Sequence, residues 1–131
     1  MFLTKECDYA IRAVRALADY EIKTVAIISE LEHIPLNFAY KILKKLERVG
    51  IVESFRGKLG GYGLSKKLDQ ISVLDIISAT NENLYINECL RPGHICPNNT
   101  ENSRCSVHQA LAHIQEDLSN TLKNTTIDMV L

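Results

Sequence analysis

Apolar residues recur at helical spacing along most of the chain. In LTKECDYAIRAVRALADY, Ala10, Ala13, Val14 and Leu17 fall at i, i+3, i+4 and i+7 behind Thr4, which suits an N-cap; the pattern predicts a helix from about Thr4 to Tyr20. A second, shorter helix is expected after Thr24, burying Val25, Ile28 and Leu31. It should end before Pro35, because the residue preceding a proline is pushed out of the helical region. Pro35 suits the start of a third helix, with Ala39, Ile42, Leu43, Leu46 and Val49 on one face and Gly50 as its C-terminal cap. The period then shortens. Ile51 to Phe55 reads as a strand, Gly57, Gly60 and Gly61 as a turn, and the run ending near Leu64 as the returning strand. Ser72 with Asp75 forms a capping box for a fourth helix, SVLDIISAT. Further on, Val107, Leu111, Ile114, Leu118 and Leu122 recur at spacings of 4, 3, 4 and 4 along a last helix running to about Lys123.

Three helices followed by a glycine-tipped hairpin is the layout of a winged helix-turn-helix, in which the third helix enters the DNA major groove. The expected fold is mainly α with a small β-hairpin wing. Residues 1–80 form the winged unit, 81–106 a cysteine-containing segment, and 107–131 a dimerisation helix with a C-terminal tail. The stripe on the last helix packs either on its own domain or on a symmetry mate; a two-fold operator needs a dimer, which favours the second.

Charge sharpens this picture. The net charge of -1 hides halves of +3 (residues 1–70) and -4 (residues 71–131), and between Asn37 and Lys67 eight basic residues face only Glu47 and Glu53. A charge run is usually a solvated face, but this one falls on the third helix and the hairpin. Leu36, Asn37 and Tyr40 are placed to face base edges, and Lys41, Lys44 and Lys45 suit phosphates. Arg56 and Lys58 are candidates for minor groove or backbone, and Tyr62 either anchors the hairpin or touches phosphate.

At 131 residues and 46% apolar, the chain suits one globular domain. Lys5, Glu6, Asp8 and Arg12 interrupt the region where a signal peptide needs an apolar run, and no stretch reaches membrane-spanning length, so a cytoplasmic protein without a membrane partner is expected. No phosphate loop, nucleophile elbow or HExxH motif appears, which argues against an enzyme or a small-molecule substrate.

Between Cys89 and His108 lie three of the four cysteines and two of the four histidines. In a reducing compartment such a cluster points to metal binding or redox chemistry rather than a structural disulfide. The spacing C-x6-C-x8-C supplies three thiolates to an iron-sulfur cluster or to zinc, and the lack of a tight C-x2-C pair counts against zinc.

The chain resembles a known family in LTKECDYAIRAVRALA, in IPLNFAYKILKKLERVGIVESFRGKLGGYGLS, in the three cysteines near position 100 and in the TIDMVL ending. The family is the bacterial winged-helix regulators of the Rrf-two type, typified by the iron-sulfur cluster regulator, the nitric-oxide-sensitive repressor and the iron-responsive rhizobial regulator. The resemblance implies a homodimeric transcription factor acting on a double-stranded DNA operator. It also implies an iron-sulfur cluster, 2Fe-2S or 4Fe-4S, on Cys89, Cys96 and Cys105, sensing iron, redox state or nitric oxide. For the fourth ligand it offers Asp8, where nitric-oxide-sensing members reach across the dimer, or His108, where the cluster-assembly member uses a histidine; Cys7 and His94 stand behind these. A non-thiolate fourth ligand would leave one iron labile, as a sensor requires. The alternative is a winged-helix regulator without a cluster, its cysteines serving as a thiol-disulfide switch or a zinc site.

Overall fold

Side chains that satisfy free backbone N–H groups set where the first helices begin. The computed structural model describes residues 3–81 and 83–131. Helix α1, Lys5–Ala16, starts behind Thr4, whose hydroxyl accepts the Cys7 N–H at 3.3 Å. It ends short of Tyr20, which turns to a φ of +63° and accepts the Leu68 N–H on its hydroxyl at 3.1 Å. Helix α2, Val25–Glu32, is capped by Thr24 and closed by His33 in the left-handed region.

Leu31 is not core, as its spacing had suggested, but 55% exposed. The residue seven after Val25 on the buried face is Glu32, whose carboxylate takes Arg15 Nε at 3.1 Å and Nη2 at 2.5 Å. A two-point ion pair therefore closes the contact between α1 and α2 where hydrocarbon was expected. Helix α3, Leu36–Arg48, buries Ala39, Ile42, Leu43 and Leu46. Val49, expected on that face, is its exposed last cap, followed by Gly50 at a φ of +78°.

Strands β1, Val52–Phe55, and β2, Gly61–Leu64, pair antiparallel with Val52 opposite Leu64 and Phe55 opposite Gly61. The return strand is also tied to the entrance of α2: Lys23 N–H donates to Tyr62 O at 2.9 Å and Tyr62 N–H to Lys23 O at 2.8 Å. The crossing is so close that a Cβ on Gly61 would lie 2.2 Å from Lys23 O.

Helix α4, Val73–Thr80, opens on the expected capping box: Ser72 Oγ accepts the Asp75 N–H at 3.0 Å, and Asp75 Oδ2 accepts the Ser72 N–H at 2.9 Å. Ser72→Ala is expected to cost about 1 kcal/mol and lower the thermal midpoint by about 4 °C. An unchanged midpoint in a melting experiment would show that the box adds nothing net.

Helix α5, Ser106–Asn124, has no buried residue; Val107 is 63% and Ile114 52% exposed. Beyond it the chain turns back. Val73 N–H donates to Thr125 O at 2.8 Å and Ile127 N–H to Ile71 O at 2.9 Å, which inserts Ile127 into the same core as Leu17, Ile28, Leu43, Leu46 and Ile76. The result is mainly α with a two-stranded wing, a winged helix-turn-helix carrying a long C-terminal helix. No described helix is long and apolar enough to cross a membrane.

Candidate cysteine cleft and nucleic-acid interface

Between α4 and α5 the backbone is held by local turns. A 3-10 turn at Glu88–Leu90 is followed by bonds from His94 N–H to Arg91 O at 3.1 Å and from Asn99 N–H to Cys96 O at 3.0 Å. None of the described residues from 83 to 106 is buried. The segment meets α5 through Gln115, whose side chain accepts the Ile86 N–H at 2.8 Å and donates to Leu84 O at 3.0 Å.

These turns bring Cys89, Cys96, Cys105 and His108 around one concavity of about 540 Å³, walled also by Asn99, Arg104 and Val107. Cys105 is the N-cap of α5, its sulfur receiving the His108 N–H at 3.5 Å, while Cys89 Sγ accepts from the Asn87 amide at 3.3 Å. All four cysteines are free thiols. His108 Nδ1 is buried with no hydrogen-bond partner among the described residues. A buried polar atom left alone needs an explanation, and an imidazole nitrogen is able to coordinate a metal. Three thiols and an imidazole are donors that iron-sulfur clusters accept. Among the described residues, no three His, Cys, Asp or Glu side chains stand close enough to share one metal ion. The segment must therefore tighten around any metal it takes.

The other candidate ligands lie elsewhere. Cys7 is 1% exposed, its sulfur accepting from the hydroxyls of Thr4 at 3.3 Å and Thr80 at 3.4 Å. His94 is exposed and does not line the cleft. Asp8 pairs with Arg12 Nε at 3.0 Å and lines a separate recess with Arg15 and Val130. One chain thus gathers His108 with the cysteines and leaves Asp8 apart.

On α3, Leu36, Asn37 and Tyr40 are exposed near the N-terminus, with Lys44 and Arg48 following along the outer side. Lys41 and Lys45, expected on phosphates beside Lys44, already hold an anion within the chain: Glu6 takes Lys41 Nζ at 2.6 Å and Lys45 Nζ at 2.8 Å. Hydrogen bonds first from Lys41, then from Lys45, hold the Glu6 carboxyl below its usual range. Nothing in the sequence signals this pairing, whose partners lie 35 and 39 residues apart. On the wing, Arg56 and Lys58 are exposed. Leu59 beside them is 89% exposed, a tip residue that periodicity did not single out. Tyr62 is half-buried, and burial, ahead of the nearby Glu47, pushes its phenol up; it anchors the hairpin.

A model of the Rrf2 family, described as iron-dependent transcriptional regulators, matches residues 3–131. A protein of Haemophilus influenzae named as an HTH-type transcriptional regulator is 37% identical over 134 residues, spanning 100% of this chain and 84% of its own. Among solved structures, CymR, the global cysteine regulator of B. subtilis, matches with a TM-score of 0.80 at 18% identity, covering 99% of this chain and 95% of CymR. IscR of T. potens matches with a TM-score of 0.74 at 18% identity, covering 99% and 85%. At these identities the two structures speak for the fold alone.

Proposed function

This chain belongs to the Rrf2 family of DNA-binding transcriptional regulators, and from that premise we propose that it acts as a cytoplasmic homodimer whose operator affinity is set by an iron-sulfur cluster. The observation that carries the reading is the shared cleft of Cys89, Cys96, Cys105 and His108, with Nδ1 of the histidine buried and without a hydrogen-bond partner among the described residues. The three thiolates would hold the cluster and His108 would complete the set; Asp8 can do so only from a second chain. Such a cluster supplies reactivity towards oxygen, nitric oxide or iron supply.

The residues of this chain do the rest. Closing the segment on a bound group draws on Cys105 at the first turn of α5 and on residues 84–86, which Gln115 fastens to the same helix. The stripe of Val107, Leu111, Ile114, Leu118 and Leu122, exposed at Val107 and Ile114 and half-buried at the three leucines, suits pairing with a second copy, so that tightening the loop would shift one α3 relative to the other. Asn37, Tyr40 and Leu36 then read bases, while Lys44, Arg56 and Lys58 meet phosphates.

Anaerobic purification should give a brown protein absorbing in the visible, with iron and sulfide near stoichiometric per chain, eluting from a sizing column as two chains. Colourless protein, or zinc alone, would replace this reading with a winged-helix regulator whose cysteines form a thiol switch or zinc site.

A further inference from the structure

Three helices meet around the ion pair of Glu6 with Lys45. The Glu6 carboxylate, on the first turn of α1, bonds Lys41 and Lys45 on successive turns of α3, and Lys45 Nζ also stands 3.5 Å from Thr80 O at the end of α4. The two lysines are not equivalent. Lys45 has a side chain 26% exposed and partners on two elements, so it fastens α3 in place. Lys41 is 58% exposed and has Glu6 as its ion-pair partner.

We propose that Glu6 is an internal counter-anion that lowers the phosphate affinity of α3, occupying Lys41 in the free protein so that DNA gains this contact only by displacing a carboxylate. A surface ion pair is weak enough for a phosphate to displace. The exchange trades one anion for another, however, and so contributes little of the counterion release that drives non-specific binding. Lys44 and Arg48 on the same helix have no ion pair among the described residues and keep their full effect. Glu6 is thus a positioning residue for specificity: it trims the sequence-independent part of the affinity and leaves the base-facing Leu36, Asn37 and Tyr40 untouched. This rests on α3 being the helix that meets DNA.

The test is the salt dependence of binding to a random-sequence duplex, read by fluorescence anisotropy, for the wild type, Glu6→Gln, Lys41→Ala and the double variant. Glu6→Gln should bind about threefold to tenfold more tightly, with a plot of log affinity against log salt steeper by about one per chain. Lys41→Ala should be close to neutral in the wild type yet cancel the gain in Glu6→Gln. If Lys41→Ala alone lowers the wild-type slope by about one, Lys41 is already a full phosphate contact and the proposal fails. That variant leaves the Glu6 to Lys45 bond in place, so it decides the matter even if Glu6→Gln folds poorly. Equal slopes for all four proteins would overturn the role of Glu6 while leaving DNA binding intact; no salt-dependent binding by the wild type would overturn the assignment of α3, and this proposal with it.

Discussion

A variant with Cys89, Cys96 and Cys105 all replaced by alanine is expected to melt close to the iron-free wild type and, if the cleft holds a cluster, to retain less than roughly one tenth of the wild-type iron, since loss of even supporting groups around a metal costs about 10- to 100-fold in affinity. The melting temperature should hold because none of the described residues from 83 to 106 is buried, so the core of Leu17, Ile28, Leu43, Leu46 and Ile127 does not depend on the segment. The larger consequence concerns DNA. If cluster occupancy and operator binding are linked, iron-loaded and iron-free wild type should differ in operator affinity by about 5- to 150-fold, and in the triple variant that ratio should collapse to about one. Parallel anaerobic titrations of a palindromic duplex would measure it. Should the variant keep the wild-type difference between its iron-treated and untreated forms, the cysteine cleft is not where the signal enters. His108→Ala in the same assay separates the ligands, because its iron loss should exceed that of Asp8→Ala if the histidine of the same chain completes the site.

Among the glycines, Gly61→Ala should produce the largest loss of stability, about 3 kcal/mol, summing a strained backbone and an overpacked contact. Gly61 has a φ of +144°, and a Cβ there would lie 2.2 Å from Lys23 O and 2.5 Å from Lys23 C, both backbone atoms that cannot rotate away. Relief requires parting β2 from the entrance of α2, where the two bonds between Lys23 and Tyr62 would go with it. The wing would then lose its fixed angle to α3, and DNA affinity should fall with stability. Gly50 supplies the control: its φ of +78° is also unfavourable for alanine, but no atom of the described residues lies within 4 Å of an added Cβ, so Gly50→Ala should cost about 1 kcal/mol. Equal losses in denaturant unfolding would mean that the approach of Lys23 is not what requires glycine at 61.

The parts of the fold legible in the sequence are those fixed within a few residues. Thr4, Thr24 and the Ser72 with Asp75 box cap helices through bonds spanning three residues, and Gly50 follows α3 as expected. Glu32 could also have been found: counting seven from Val25 reaches it, whereas Leu31 sits one position off the buried face. Its Arg15 partner could not, being set by how α1 packs on α2. The same holds for Glu6 with Lys41 and Lys45, and for Ile127, whose burial depends on the chain turning back after α5. At the candidate site, the clustering of Cys89, Cys96 and Cys105 in the sequence points to the residues that line the cleft. That His108 Nδ1 has no hydrogen-bond partner among the described residues is a property of everything that fails to approach it, and no local pattern encodes that.

The return of the chain after α5 bears on which operators can be bound. Thr125 and Ile127 stitch the far end of that helix to Val73 and Ile71, and Gln115 fastens its middle to residues 84–86. A dimer paired along α5 would then be a beam clamped to each reading head, leaving each head little play beyond the shift that tightening of the loop imposes. DNA repeats its groove every 10 to 10.5 base pairs or so, so one inserted base pair turns a half-site by about 35° away from its mate. Such a protein would recognise operators by their phase as strictly as by their letters: two intact half-sites set one base pair out of step would be read as one.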